Sequence, residues 1–77
     1  MSAIHEKSIG QLIDELSVTN LRCWFAQEDL MNEELSDKQR LEAAENAQKF
    51  NARRNALMRA IDEKLDNGFS VEKKSYE

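Results

Sequence analysis

Asn20, Gln27, Asn51 and Arg54 are the residues of this 77-residue chain whose types and spacing come nearest to chemistry. Each interrupts an apolar pattern. Asn20 and Gln27 fall near the middle of one such pattern, Arg54 in the middle of a second, and Asn51 at the edge of the second. A guanidinium among amides offers paired, charge-assisted donors to a carboxylate or phosphate, so a small-ligand site in the core of a bundle is one reading. The expected reading is structural: a hydrogen-bonded polar layer that fixes register and oligomer order. In a third, Arg54 lays its stem along the apolar stripe and carries its charge out to water.

The other reactive side chains offer less. The single histidine, His5, precedes the first apolar pattern, and the inward-facing Glu-x-x-His motif of di-iron bundles is absent. Glu28, Asp29, Glu33 and Glu34 form a dense acidic patch. It is expected to be a solvated helix face, with weak divalent-cation binding through carboxylate oxygens as the alternative. Cys23 is the one cysteine, lies on the apolar side, and has no histidine beside it to activate a thiolate, so it reads as a small core residue. There is no Gly-rich phosphate loop. No catalytic residue, cofactor or metal is expected, and the chain is not expected to be an enzyme.

The second apolar pattern also carries a basic row. Lys49, Arg53 and Lys64 fall on one side of the second pattern, with Arg59 nearer another side. A helical dimer would present that row twice, which makes nucleic-acid binding the alternative function. The net charge of −4 opposes it. So does the lack of aromatic side chains along the row to stack bases. Pairing within the helix, as between Glu45 and Lys49 four residues apart, is the plainer role for such cations.

These residues need helices to position them, and the chain supplies two. Ser8-Ile9-Gly10-Gln11 and Ser36-Asp37-Lys38-Gln39 both read S-x-x-Q, the capping box of a helix start. Pro is absent, and Asn67-Gly68 follows Leu65 as a stop. The reading is an N-terminal arm over residues 1–7, a hairpin over 8–67 with helices at about 8–34 and 37–66, and a polar tail over 68–77. At about 100° per residue, Ile9, Leu12, Ile13, Leu16, Cys23, Trp24, Leu30 and Met31 share one face of the first helix. On the second the stripe is Ala43, Ala47, Phe50, Leu57, Met58, Ile61 and Leu65. Antiparallel pairing sets the small alanines against Trp24 and Leu30, and Ile61 and Leu65 against Ile9 and Leu12. Charge agrees: residues 8–35 carry six acids and one base, and residues 37–65 five acids and seven bases.

Val18, Leu21 and Phe25 do not belong to the stripe. They lie more than about 100° from its centre and would stay wet on an isolated hairpin. They are expected either to be buried by self-association or to bind a heterologous protein. Small size points the same way, since a chain with one cysteine and so small a core needs a partner to complete it.

Ile9–Glu28, IGQLIDELSVTNLRCWFAQE, and Asn51–Glu63, NARRNALMRAIDE, carry a resemblance. They resemble a bacterial all-helical family of unknown function with an N-x-[basic]-x-W pattern, an N-x-x-R-N pattern and a closing apolar-Ile-Asp. The matching positions are Asn20, Arg22, Trp24, Asn51, Arg54, Asn55, Ile61 and Asp62. The resemblance implies an all-α bacterial protein and no particular activity. The chain is shorter than members of that family, so nothing carries over from their additional segments.

The expectation is an all-α protein, an antiparallel two-helix hairpin dimerising into a four-helix bundle. Its expected function is non-enzymatic: an adaptor, assembly factor or regulator acting through protein–protein contacts. With a lone cysteine and no secretory leader in its first residues, the chain is expected in the reducing cytoplasm. No membrane segment is expected, because no apolar run approaches the roughly 20 residues of a span.

Overall fold

The computed structural model describes the backbone of residues 4–76 and the side chains of residues 4–67. A 3₁₀ turn, Ile4–Glu6, leads into helix α1, Ile9–Leu30, which is followed by helix α2, Asp37–Tyr76. The two helices pack against each other as an antiparallel hairpin, and the described residues include no strand.

Both helix starts are capping boxes. Ser8 Oγ accepts the Gln11 N–H at 3.1 Å while Gln11 Oε1 accepts the Ser8 N–H at 2.8 Å. Ser36 and Gln39 repeat the exchange at 3.1 and 3.0 Å. Each box satisfies two donors that a helix start otherwise leaves without partners.

Both helix ends differ from the sequence reading. α1 stops at Leu30 rather than near residue 34. Asn32 is the cause: its Oδ1 accepts the Glu34 N–H at 3.0 Å, and its carbonyl accepts the Leu35 N–H at 3.2 Å. An asparagine that bonds its own backbone two residues on competes with the helix and makes a turn. Arg40 then donates from Nε to the Leu30 carbonyl at 3.1 Å, satisfying a terminal acceptor from the opposite helix. α2 continues through Asn67-Gly68, the expected stop, as far as Tyr76. Glycine lowers helix propensity by only about 1 kcal/mol against alanine, and no proline follows to forbid continuation.

The contact between the helices is a heptad seam. On α1 it runs through Leu12, Leu16, Thr19, Cys23 and Ala26, and on α2 through Ala43, Ala47, Phe50, Arg54, Leu57 and Ile61. The steps alternate between three and four residues, the spacing that keeps one face toward one partner. Leu12 and Leu57 are fully buried and form the core with Ala60, with Ile4, Leu16 and Ile61 packed around them. The arm is therefore docked through Ile4, and Lys64 Nζ donates to the His5 carbonyl at 3.2 Å.

Much of the expected stripe is not in this core. Ile13, Trp24 and Leu30 of α1, Met31 just after it, and Leu65 of α2 are exposed, with Trp24 at 55% and Met31 at 79%. The reason is geometric. A single neighbouring helix covers only the narrow seam, whereas the predicted stripe is wide enough for two neighbours. Thr19, Ala26 and Ala60 take the buried places instead.

Candidate functional site

The seam has two flanks, and the hairpin treats them differently. On one flank charged side chains close over it. Glu15 of α1 accepts from Arg53 Nε of α2 at 2.6 Å and also from Lys7 Nζ of the arm. Nearby, the Arg22 guanidinium lies 6.0 Å from the centre of the Phe50 ring. A groove of about 660 Å³ runs along this flank, lined in part by Lys7, Glu15, Arg22, Lys49, Phe50 and Arg53.

The Arg53 hydrogen bond, and after it that of Lys7, holds the Glu15 carboxyl at about 2, well below its ordinary 4.5. Glu15 in turn pushes the Arg53 guanidinium upward. A lowered carboxyl favours the folded state above the ordinary pKa and loses that contribution as pH falls toward the folded value. The wild-type melting temperature is thus expected to drop between about pH 4.5 and about 2 more steeply than that of Glu15→Gln. Parallel curves for the two proteins across that window would refute the role of the cluster.

This flank divides the basic row. Arg53 is paired with Glu15, and Lys64 is bonded to the arm. Lys49 faces the groove beside Phe50, while Arg59, exposed, falls on another side of α2. The four cations do not make one continuous open face.

The other flank is open. Arg54 Nε donates to Asn20 Oδ1 at 2.9 Å, and the Cys23 thiol approaches Asn51 Oδ1 at 3.9 Å. The structure brings together Asn20, Asn51 and Arg54. It leaves Gln27 apart, two turns nearer the loop, in a shallow depression with Trp24, Met31 and Asn32. Asn20 and Asn51 are exposed and Arg54 is half-buried, so in one hairpin the polar group lies at the surface. Along the same flank lie Ile13 and Trp24 of α1, Met31 just after it, and Ala44, Met58 and Leu65 of α2, with the polar Gln48, Asn55 and Asp62 between the last three.

Val18, Leu21 and Phe25 sit on the outer side of α1, exposed at 42%, 59% and 59%. The Trp24 ring meets the Phe25 ring edge to face, 5.2 Å between centroids, and so joins this patch to the open flank. Between Leu21 and Ala26, α1 consequently carries apolar side chains on more than one side, with Arg22 between them. A helix of that kind is one that expects more than one neighbour.

The remaining candidates fall where no reaction is organised. Cys23 is a buried free thiol in the seam. His5 lies 3.7 Å from Glu63 with both side chains largely exposed. Glu28, Asp29, Glu33 and Glu34 are exposed around the end of α1 and the loop. Among the described residues no group of three or more His, Cys, Asp or Glu side chains is placed to hold a metal ion. No helix among them is long and apolar enough to cross a membrane.

The sequence reading did not single out Glu15 or Lys7. Glu15 flanks the seam one position before Leu16. A loop at residue 36 sets it level with Leu57, one turn away from Arg53, so the loop position alone pointed to the neighbourhood of the pair and not to the pair itself. Comparison with protein-family models, with characterised proteins and with solved structures finds no match.

Proposed function

We propose that this protein is a non-enzymatic helical module that self-associates and acts through protein–protein contacts, as an adaptor, assembly factor or regulator. The observation that carries this is the distribution of large apolar side chains. Among the residues whose side chains are described, Leu12 and Leu57 are the large side chains that are fully buried, while nine large hydrophobic residues are exposed, among them Trp24 and Phe25. Scattered single hydrophobics are ordinary on a surface, but a contiguous group marks a contact. So small a core also supplies little stability without association.

Two surfaces share the work. The open flank, contributed by both helices, is broad and suits a second hairpin. Val18, Leu21 and Phe25 form a ridge on α1 whose edge borders Phe50 of α2, and they suit a heterologous protein. Of the eight residues behind the family resemblance, Asn20, Trp24, Asn51 and Arg54 lie on or beside the open flank, whereas Arg22 lies on the charged flank and Ile61 in the seam. A free thiol at Cys23 fits a reducing, cytoplasmic setting.

Light scattering at micromolar concentration tests the central claim. The expected mass is about twice that of the 8.9 kDa chain. A cooperatively folded monomer at that concentration would overturn the reading.

A further inference from the structure

The outer side of α1 is an apolar face held between two carboxylates. Asp14, Leu21 and Glu28 are seven residues apart and follow one line along the side of α1 that faces away from α2, drifting only about 20° per heptad. At about 100° per residue, Val18 and Phe25 lie roughly 40–60° to one side of that line and Trp24 roughly 60° to the other. All six are exposed. Ser17 falls among them and turns its hydroxyl back to the Ile13 carbonyl at 3.1 Å, which takes its donor off the face. Arg22, the one base of α1, lies about 100° away, over the Phe50 ring.

The two carboxylates are uncompensated. Asp14 and Val18 reach the edge of the charged groove, but there Lys7 and Arg53 are paired with Glu15, and Arg22 and Lys49 lie beside Phe50. Among the described residues neither Asp14 nor Glu28 has an ion-pair partner.

That bracket decides what can cover the face. The α1 of a second copy meets it acid to acid in either direction. Laid parallel, Asp14 and Glu28 each face their own counterpart; laid antiparallel about Leu21, Asp14 faces Glu28 twice. To answer the bracket, α2 of a copy would need two bases fourteen residues apart. Among residues 37–67 the one such pair is Arg40 and Arg54, and both are turned to α1, Arg40 onto the Leu30 carbonyl and Arg54 onto Asn20. Resting on the protein–protein role proposed above, we infer that the outer face of α1 binds an amphipathic helix of another protein, whose apolar stripe is bracketed by two Lys or Arg residues about 21 Å apart. Leu21 and Phe25, with Val18 and Trp24 at the sides, receive the stripe, and Asp14 and Glu28 pair with the two cations. Both brackets are acids, so the partner helix is accepted in either direction. The carboxylates act mainly as selectors: they favour basic ends and reject acidic ones.

The test uses two fluorescein-labelled synthetic peptides of about five helical turns, titrated with the full chain and followed by anisotropy. One has leucines at steps of three and four between lysines fourteen residues apart; its twin carries glutamates in place of the lysines. The lysine peptide is expected to bind at micromolar protein, and the glutamate twin at least about ten-fold more weakly. Asp14→Lys with Glu28→Lys should exchange that preference, and Leu21→Ser with Phe25→Ser should lose binding of both, with helical content preserved. If the charge reversal disturbs the fold, Asp14→Asn with Glu28→Gln carries the test, and the preference should vanish. Equal binding of the two peptides, a preference unmoved by these variants, or no binding of the lysine peptide at submillimolar protein overturns the inference. Light scattering on the same samples keeps self-association separate. A dimer that binds neither peptide overturns this inference alone, and a monomer that binds the lysine peptide overturns self-association alone. If the double serine variant is monomeric where the unaltered chain is dimeric, a second copy occupies the face, and the inference is overturned.

Discussion

Leu57→Ala is expected to cost about 2–5 kcal/mol, the range for a buried leucine cut to alanine where neighbours cannot close the space. Leu57 is fully buried, and it packs with Leu12 and Ala60 inside a ring of Ile4, Leu16 and Ile61. The effect is large because the reserve is small. At about 0.05–0.15 kcal/mol per residue, a chain of 77 residues holds some 4–12 kcal/mol in all. A loss of that size is a large share of the reserve and raises the unfolded fraction at physiological temperature. Urea unfolding followed by circular dichroism measures the change. A loss under about 1 kcal/mol would mean that the cluster is not the centre of the fold.

Trp24→Ala should act on association rather than on the hairpin. Its ring is more than half exposed in one chain and touches Phe25, so removing it takes little from the isolated helices. In the proposed dimer it would become the largest side chain buried at the interface. Aromatic anchors of this kind typically contribute about 2–4 kcal/mol when truncated, or roughly 30- to 1,000-fold in Kd. Dilution followed by sedimentation should therefore show the variant dissociating at concentrations where the wild type remains dimeric, with helical content preserved in both. The paired control is Leu21→Ser with Phe25→Ser, on the outer ridge, which should alter Kd only a few-fold. If the control separates the dimer and Trp24→Ala does not, the assignment of the two surfaces is reversed.

The hairpin itself was legible in the sequence because its signals are local. S-x-x-Q at Ser8 and Ser36 marks two helix starts by chemistry contained within four residues, and both capping boxes form. The helix ends were harder. Asn32 stops α1 through a side-chain bond to its own backbone, a choice that depends on what the helix would otherwise gain. Gly68 does not stop α2, because a glycine only weakens a helix. The faces were harder still. Ile13 and Leu12 are adjacent and both apolar, and a wide stripe does not say which of two neighbours is in the same chain. Thr19, Ala26 and Ala60 are buried although their types attract little notice. Reading the seam as strict steps of three and four, rather than as the most hydrophobic residues, separates Leu12, Leu16, Thr19, Cys23 and Ala26 from Ile13 and Trp24. Asn20 and Arg54 meet as their levels suggested, while Gln27, on the same stripe, is too far along the helix to join them.

The seam is unevenly filled, and the unevenness sets an order of opening. Near the loop it is made of Ala26, Ala43 and Ala47, and near the chain ends of Leu12, Leu57, Ala60 and Ile61, tied further by Ile4 and by Lys64 on the arm. Apolar burial is thus concentrated at the end where a simple hairpin would be expected to fray. The loop holds the two helices together covalently but stabilises them little. Amide protons around residues 26–43 therefore exchange with solvent through small local openings, whereas those around Leu12 and Leu57 exchange only when the whole hairpin comes apart. Thermal motion opens this hairpin from its closed end.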